Sequence, residues 1–219
     1  MFVNTEGKAE HFRIRMMVSL SQGLGILVWS VLVMSSFGIC EASMVIEMNF
    51  ENNGHVPWKR FVTPNGTVGE AGWPTVVSFE TAQEGHGSKA LIFKVGQVRY
   101  DPEIAREQGG GLETQLTTEA GALHLSARIA VAYHSPKDKR NLAGGLFQWI
   151  VDDHVIVSHD MGAVVNGGVL RHHLQGQHLV HAGAHTIRLC ITRPFVSHPG
   201  QHAPFQYLDN LRIRFLPQE

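Results

Sequence analysis

The chain has 219 residues, 43% hydrophobic and 17% charged, enough for one compact domain with a sizeable core. A formal net charge of -1 leaves no basic surplus, which argues against nucleic acid as a partner. The 23 glycines suit frequent tight turns better than long helices.

Residues 18–39 carry no charge, Arg13 and Arg15 precede them, and the small residues Cys40 and Ala42 follow. This predicts an N-terminal signal peptide helix over residues 1–42, cleaved after Ala42, and a domain over residues 43–219. The apolar run is also long enough to span a membrane, so an uncleaved anchor is the other reading. After cleavage the chain is secreted or held at the cell surface, off the membrane. Cys190 is then the one cysteine left, so no intramolecular disulfide forms, and the domain relies on its core or on a metal.

Period-two alternation dominates from Ser43 onward. In MVIEMNF (44–50), Met44, Ile46, Met48 and Phe50 share one face. ALIFKV (90–95) reads as a short apolar strand. DPEIAREQGG (101–110) could hold a helical turn, and Gly109-Gly110-Gly111 reads as a turn. ALHLSARIAVAY (122–133) points Leu123, Leu125, Ile129, Val131 and Tyr133 inward, with His124, Ser126, Arg128 and Ala130 outward. GLFQWIVDDHVIVSHD (145–160) is predicted as two strands joined at Asp152-Asp153. Further strands are expected over 168–174 and 185–191. PFQYLDNLRIRF (204–215) closes the chain, with Tyr207, Asp209, Leu211, Ile213 and Phe215 on one face. Short strands with regular turns predict an all-β fold, a two-sheet β-sandwich or jelly roll.

Two ends of the chain share a signature. MNFENNGHVPWKRF (48–61) ends a strand on Asn-Phe-Glu ahead of a Trp-bearing loop, and QYLDNLRI (206–213) places Tyr-Leu-Asp-Asn in the closing strand. With the intervening GHGSKALIFKV (85–95), these segments resemble the carbohydrate-binding-module jelly rolls of the galactose-binding-like superfamily. The resemblance implies that the first and last strands lie side by side. It also implies a structural Ca2+ at the sandwich edge, held by the carboxylates of Glu51 and Asp209 with carbonyls from around Ser88 and Lys89. Hard oxygen donors of that kind suit calcium. Alternatively, Asp209 accepts backbone N–H groups or pairs with an Arg or Lys.

Sugar rings stack on flat apolar surfaces, and hydroxyls need hydrogen-bonding neighbours. Trp58 and Trp73, in the Gly/Pro-rich segment 52–75, are ligand candidates, and so is Trp149. Trp58 and Trp73 could instead tuck against the sandwich edge, and Trp149, on a strand with Phe147 and Val151 on its face, reads first as a core or sheet aromatic. Arg128 and Gln148, at outward strand positions, could donate to hydroxyls or face solvent. RHHLQGQHLVHAGAH (171–185) gathers His172, His173, His178, His181 and His185. Adjacent strand residues point to opposite faces, so His172 and His173 do not share one ion, whereas His178 and His181 flank an expected turn and could. Asp152, Asp153, Glu113, Glu119 and Asp160 form no facing acid pair in the sequence, and there is no Gly-x-Ser-x-Gly elbow. The sequence therefore points to non-catalytic binding of a polysaccharide or glycan. The competing readings are an extracellular structural or adhesive domain and, third, a polysaccharide hydrolase or lyase.

Overall fold

The computed structural model describes residues 44–51, 58–81, 88–104, 107–197 and 202–218. The expected signal peptide and its cleavage site lie outside the described residues, as does the turn at residues 85–87. In chain order the strands are β1 (Met44–Met48), β2 (Lys59–Val62), β3 (Gly66–Thr67), β4 (Thr75–Ser78), β5 (Lys89–Phe93), β6 (Gly96–Gln97), β7 (Gln108–Thr118), β8 (Gly121–Ala132), β9 (Arg140–Asn141), β10 (Leu146–Val151), β11 (His154–Asp160), β12 (Val164–Val165), β13 (Val169–Val180), β14 (Gly183–Arg193) and β15 (Phe205–Pro217). The described residues contain no helix, and none of their segments is a helix long and apolar enough to cross a membrane.

Two sheets carry the fold. One runs β13-β8-β15-β5-β4, with β1 also on β15; the other runs β11-β10-β14-β7-β2. Alternation puts one face of each strand inward. Leu123, Leu125, Ile129, Leu208 and Ile213 from the six-stranded sheet meet Phe147, Trp149, Val151, Ile187 and Leu189 from the other in one buried core. The β10–β11 hairpin turns at Asp152-Asp153 as expected. Both residues take positive φ, 48° and 64°, as a two-residue primed turn requires.

The first and last strands do pair. β1 lies antiparallel to β15, from Met44 opposite Phe215 to Met48 opposite Leu211. β15 gives the same edge to two partners: Gln206–Leu208 pair with β5, and Leu211–Phe215 pair with β1. At the join, the register against β8 slips between Asp209 and Arg212, and Asn210 takes φ 49°. This bulge corrects the expected single apolar face. Leu208 and Leu211 both enter the core, whereas Tyr207 and Asp209 turn to the outer side of the sheet.

Two other expectations are overturned. Residues 102–104 form a turn and a bend, Gln108–Gly110 already belong to β7, and Ala105 and Arg106 lie outside the described residues. Gly109-Gly110-Gly111 is not a turn; it lies inside β7. A Cβ on Gly111 would fall 1.9 Å from the Leu189 carbonyl oxygen of β14, so the strands approach only because these residues lack side chains. Glycine here serves close packing within a strand, which composition alone does not separate from turn formation.

Candidate functional site

The outer face of the six-stranded sheet is built from four registered strands. Along β8 the outward residues are His124, Ser126, Arg128 and Ala130. They stand opposite Gln177, Gln175, His173 and Arg171 of β13. On the other side β15 sets Arg214, Arg212, Asp209 and Tyr207 against them, and β1 adds Glu47 beside Arg212. Directly opposed residues share a face, so these side chains form a grid.

The grid has an apolar end and a polar end. At the apolar end Ala130 and Tyr207 are buried beneath a second, smaller cluster. The Phe79 ring lies flat on Tyr207, with centroids 3.5 Å apart and planes at 5°. Trp73 stacks with Phe205 at 6.0 Å, and the Arg171 guanidinium lies over Phe79 while its Nε donates to the Glu80 carbonyl at 2.9 Å. At the polar end two adjoining hollows of about 330 Å³ each open to solvent. Glu47, Asn49, Arg128 and Asn210 line the first, His124, Gln175 and Arg214 line the second, and Ser126, His173 and Arg212 belong to both. Together they make a shallow groove, with the aromatic cluster further along the same face. Arg212 Nε holds Glu47 at 2.9 Å. Burial, and then the charge of Arg128, hold the His173 imidazole below its usual range.

The other ligand candidates fall elsewhere. Trp149 is completely buried in the core, which corrects its expected place as a sugar platform. Trp58 is half-buried against the same core, its ring 6.1 Å from Trp149. Among the described residues neither indole N–H has a hydrogen-bond partner. Gln148 is outward, but on the opposite sheet, level with Cys190 and Ser158. Of the five candidates, then, Trp73 and Arg128 share the outer face of the six-stranded sheet. Sequence reading missed Ser126, His173, Gln175, Arg212 and Arg214 as a set. Each is legible as an outward residue, but their meeting depends on strand order and register.

The two acidic residues of the terminal segments converge where β1 and β5 meet on β15. Asp209 is 3% exposed. One of its oxygens, Oδ2, accepts from Thr81 Oγ1 at 3.1 Å, Ser88 Oγ at 3.3 Å and Asn210 Nδ2 at 3.2 Å; Oδ1 accepts the Asn210 amide at 2.7 Å. Burial pushes its carboxyl up, and the nearby Glu51 charge adds to the rise. Glu51 Oε1 accepts the Lys89 amide at 2.6 Å, and the Ser88 carbonyl accepts the Phe79 amide. Ser88 therefore offers Asp209 its hydroxyl, with its carbonyl in the β4–β5 ladder. Among the described residues no three acidic, His or Cys side chains gather as a metal-binding group.

The histidines disperse. His172 stacks face to face on His159 of β11, 3.6 Å between centroids, where the edges of the two sheets meet. His173 faces the groove, and His178 lies inside β13. His185 is clamped between Asp152 Oδ2 at 2.6 Å and the His181 carbonyl at 2.9 Å. Burial would lower its imidazole, but the hydrogen bonds it donates to these two acceptors more than offset that, and the net shift is upward. The acids are engaged too: Glu113 and Asp153 both hold Arg188, and Asp160 caps the Gly162 amide. Burial raises the Cys190 thiol to about 11, so it is a packed strand residue.

No family model matches the chain, and no curated protein matches it. Solved structures similar to it include the CBM22-1 xylan-binding domain from Paenibacillus barcinonensis Xyn10C, at 13% identity and TM-score 0.44, covering 82% of this chain and 99% of that one. A family 35 carbohydrate-binding module from Clostridium thermocellum matches at 14% identity and TM-score 0.37, over 78% of this chain and 97% of that one. The K1 cleaved adhesin domain of Lys-gingipain from Porphyromonas gingivalis W83 matches at 12% identity and TM-score 0.40, over 78% and 97%.

Proposed function

We propose that the chain is an exported, non-catalytic domain that binds a polysaccharide or glycan in the groove on the outer face of its six-stranded sheet. One observation carries this reading. Two adjoining hollows are lined by planar or hydroxyl hydrogen-bonding groups (Ser126, Gln175, Asn49, Asn210, Arg128), and further along the same sheet face lies an aromatic cluster that includes Trp73. Sugars offer rows of hydroxyls and apolar ring faces, and this surface meets both. The dispersal of the acids into ion pairs and caps supports binding without hydrolysis. The uncharged leader with its small-residue cleavage signal supports export.

Calcium is part of the proposal. Glu51, Asp209, Thr81 and Ser88 are hard oxygen donors around a buried carboxyl that another carboxylate pushes upward, the chemistry a calcium ion would relieve. Bound there, the ion would clamp the end of β1 to the start of β5. EDTA should then lower the unfolding midpoint of the parent and leave that of Asp209→Ala unchanged; an EDTA-indifferent parent removes the metal from the proposal.

Retention on a panel of insoluble and soluble polysaccharides tests the main reading. Ser126→Ala with Gln175→Ala should release the retained glycan while Gln148→Ala, on the opposite face, keeps it. No retention on any polysaccharide, together with self-association in solution, would replace the glycan with a structural or adhesive role.

A further inference from the structure

The groove is not neutral. Its face sets Arg128, Arg171, Arg212 and Arg214, with His124 and His173, against Glu47 and the buried Asp209. Arg171 is used internally, on the Glu80 carbonyl and the Phe79 ring. Arg212 is used weakly, in an exposed pair with Glu47. Arg128 differs from both. It is half-buried, it lines the first hollow, and its guanidinium has no hydrogen bond or ion pair to another described residue. Asp209 stands opposite Arg128 in the register but spends its oxygens on Thr81, Ser88 and Asn210, so the guanidinium is drawn partly out of water with no direct ion pair, and an anion arriving in the hollow would supply one. The groups around it are hydroxyl and carboxamide donors and acceptors, the partners of an alcohol-rich ligand. Glu47, on Arg212 through a single 2.9 Å contact, is an internal example of a carboxylate seated beside a guanidinium on this face.

We infer that the groove takes an acidic polysaccharide built from hexuronate units, with Arg128 receiving a carboxylate in the first hollow and Arg214 a second one in the adjoining hollow. The inference rests on the glycan-binding reading above and narrows its substrate class. Arg212, between the hollows, exchanges its exposed Glu47 partner for the ligand or keeps it to set the spacing. Ser126, Gln175 and Asn210 meet the ring hydroxyls. Nucleic acid fits less well, because the polar end lacks the aromatic platforms on which bases stack.

The test is affinity electrophoresis and calorimetry of the purified full-length chain against sodium polygalacturonate, its methyl ester, neutral xylan, heparin and a double-stranded DNA. Polygalacturonate should be retained, and methyl esterification should abolish retention. Arg128→Gln should weaken binding roughly ten- to a hundredfold, the loss expected for a charge-assisted contact. Arg99→Gln, a change of the same charge at an exposed position away from the groove, should leave it intact. If Arg128→Gln does not fold, the exposed Arg214→Gln gives the same readout with a smaller loss. Retention of xylan alone, abolished by Gln175→Ala and indifferent to Arg128→Gln, would overturn the acidic substrate and keep the glycan groove. Equal binding of heparin, DNA and both pectin forms would overturn it as unspecific charge attraction. Retention of nothing would overturn both readings.

Discussion

Replacing Trp149 separates a core role from a ligand role. Its ring is completely buried, lies opposite Leu189 of β14 and Val157 of β11, and touches Trp58. A tryptophan of about 200 Å² at about 25 cal/mol per Å² gives an upper figure near 5 kcal/mol for its burial. Truncation to alanine in such a site costs about 3–5 kcal/mol, or roughly 6–20 °C in the unfolding midpoint of a domain this size. Trp149→Phe should cost far less, about 1 kcal/mol, because it also removes an indole N–H that has no partner among the described residues. Urea unfolding monitored by circular dichroism measures both, alongside retention of the folded fraction on the polysaccharide panel. Both variants should retain glycan as the parent does. Unchanged stability with lost retention in Trp149→Ala would refute the core assignment. Equal losses for Phe and Ala would refute the unpartnered N–H.

Three further outcomes follow from the geometry. Gly111→Ala should destabilise by about 3 kcal/mol or more, since β14 must move away from a Cβ that would sit 1.9 Å from the Leu189 oxygen; a midpoint within about 2 °C of the parent would refute the close approach. His185 has a raised pKa, so the stability it contributes is complete below its ordinary value of 6.5 and fades as pH rises through the higher folded value. The midpoint gap between the parent and His185→Gln should accordingly narrow as pH rises above 6.5, and a gap that widens would contradict the clamp. Phe79→Ala should loosen the aromatic end of the outer face, seen as faster amide exchange in β4 and at Tyr207, while exchange of the β10–β11 hairpin stays as in the parent.

The sandwich was legible where one rule acted alone. In β10, and in β8 as far as Ile129, alternation is clean, because one face is covered and the pattern reports that face directly. The Asp152-Asp153 turn was legible for the same reason. β15 was misread because a single extra residue, Asn210, reverses the alternation midway, and its cause lies in two strands sharing one edge, a non-local fact. β7 was misread because Gly109-Gly110-Gly111 matches a turn by composition, while the closeness of β14 that calls for glycine is visible only in space. The kinship of the termini was readable from Glu51 and Asp209; the groove was not. Its members come from four strands separated by up to the length of the domain, and their register sets which of them meet. Trp149 shows the converse: the residue type was right for sugar stacking, and its strand parity sent it inward.

The pairing of β1 with β15 sets an order of events in the making of this molecule. The residues that complete the six-stranded sheet are synthesised after every other strand of the domain, and β15 lies between β8 on one flank and β5 and β1 on the other. Until Phe205–Pro217 has been synthesised, the opening strand has no mate and β8 stands with one edge bare. A nascent chain in that condition leaves the six-stranded sheet unclosed. A premature stop before Phe205 would leave a permanently open sheet, suited to degradation or clumping and to nothing else.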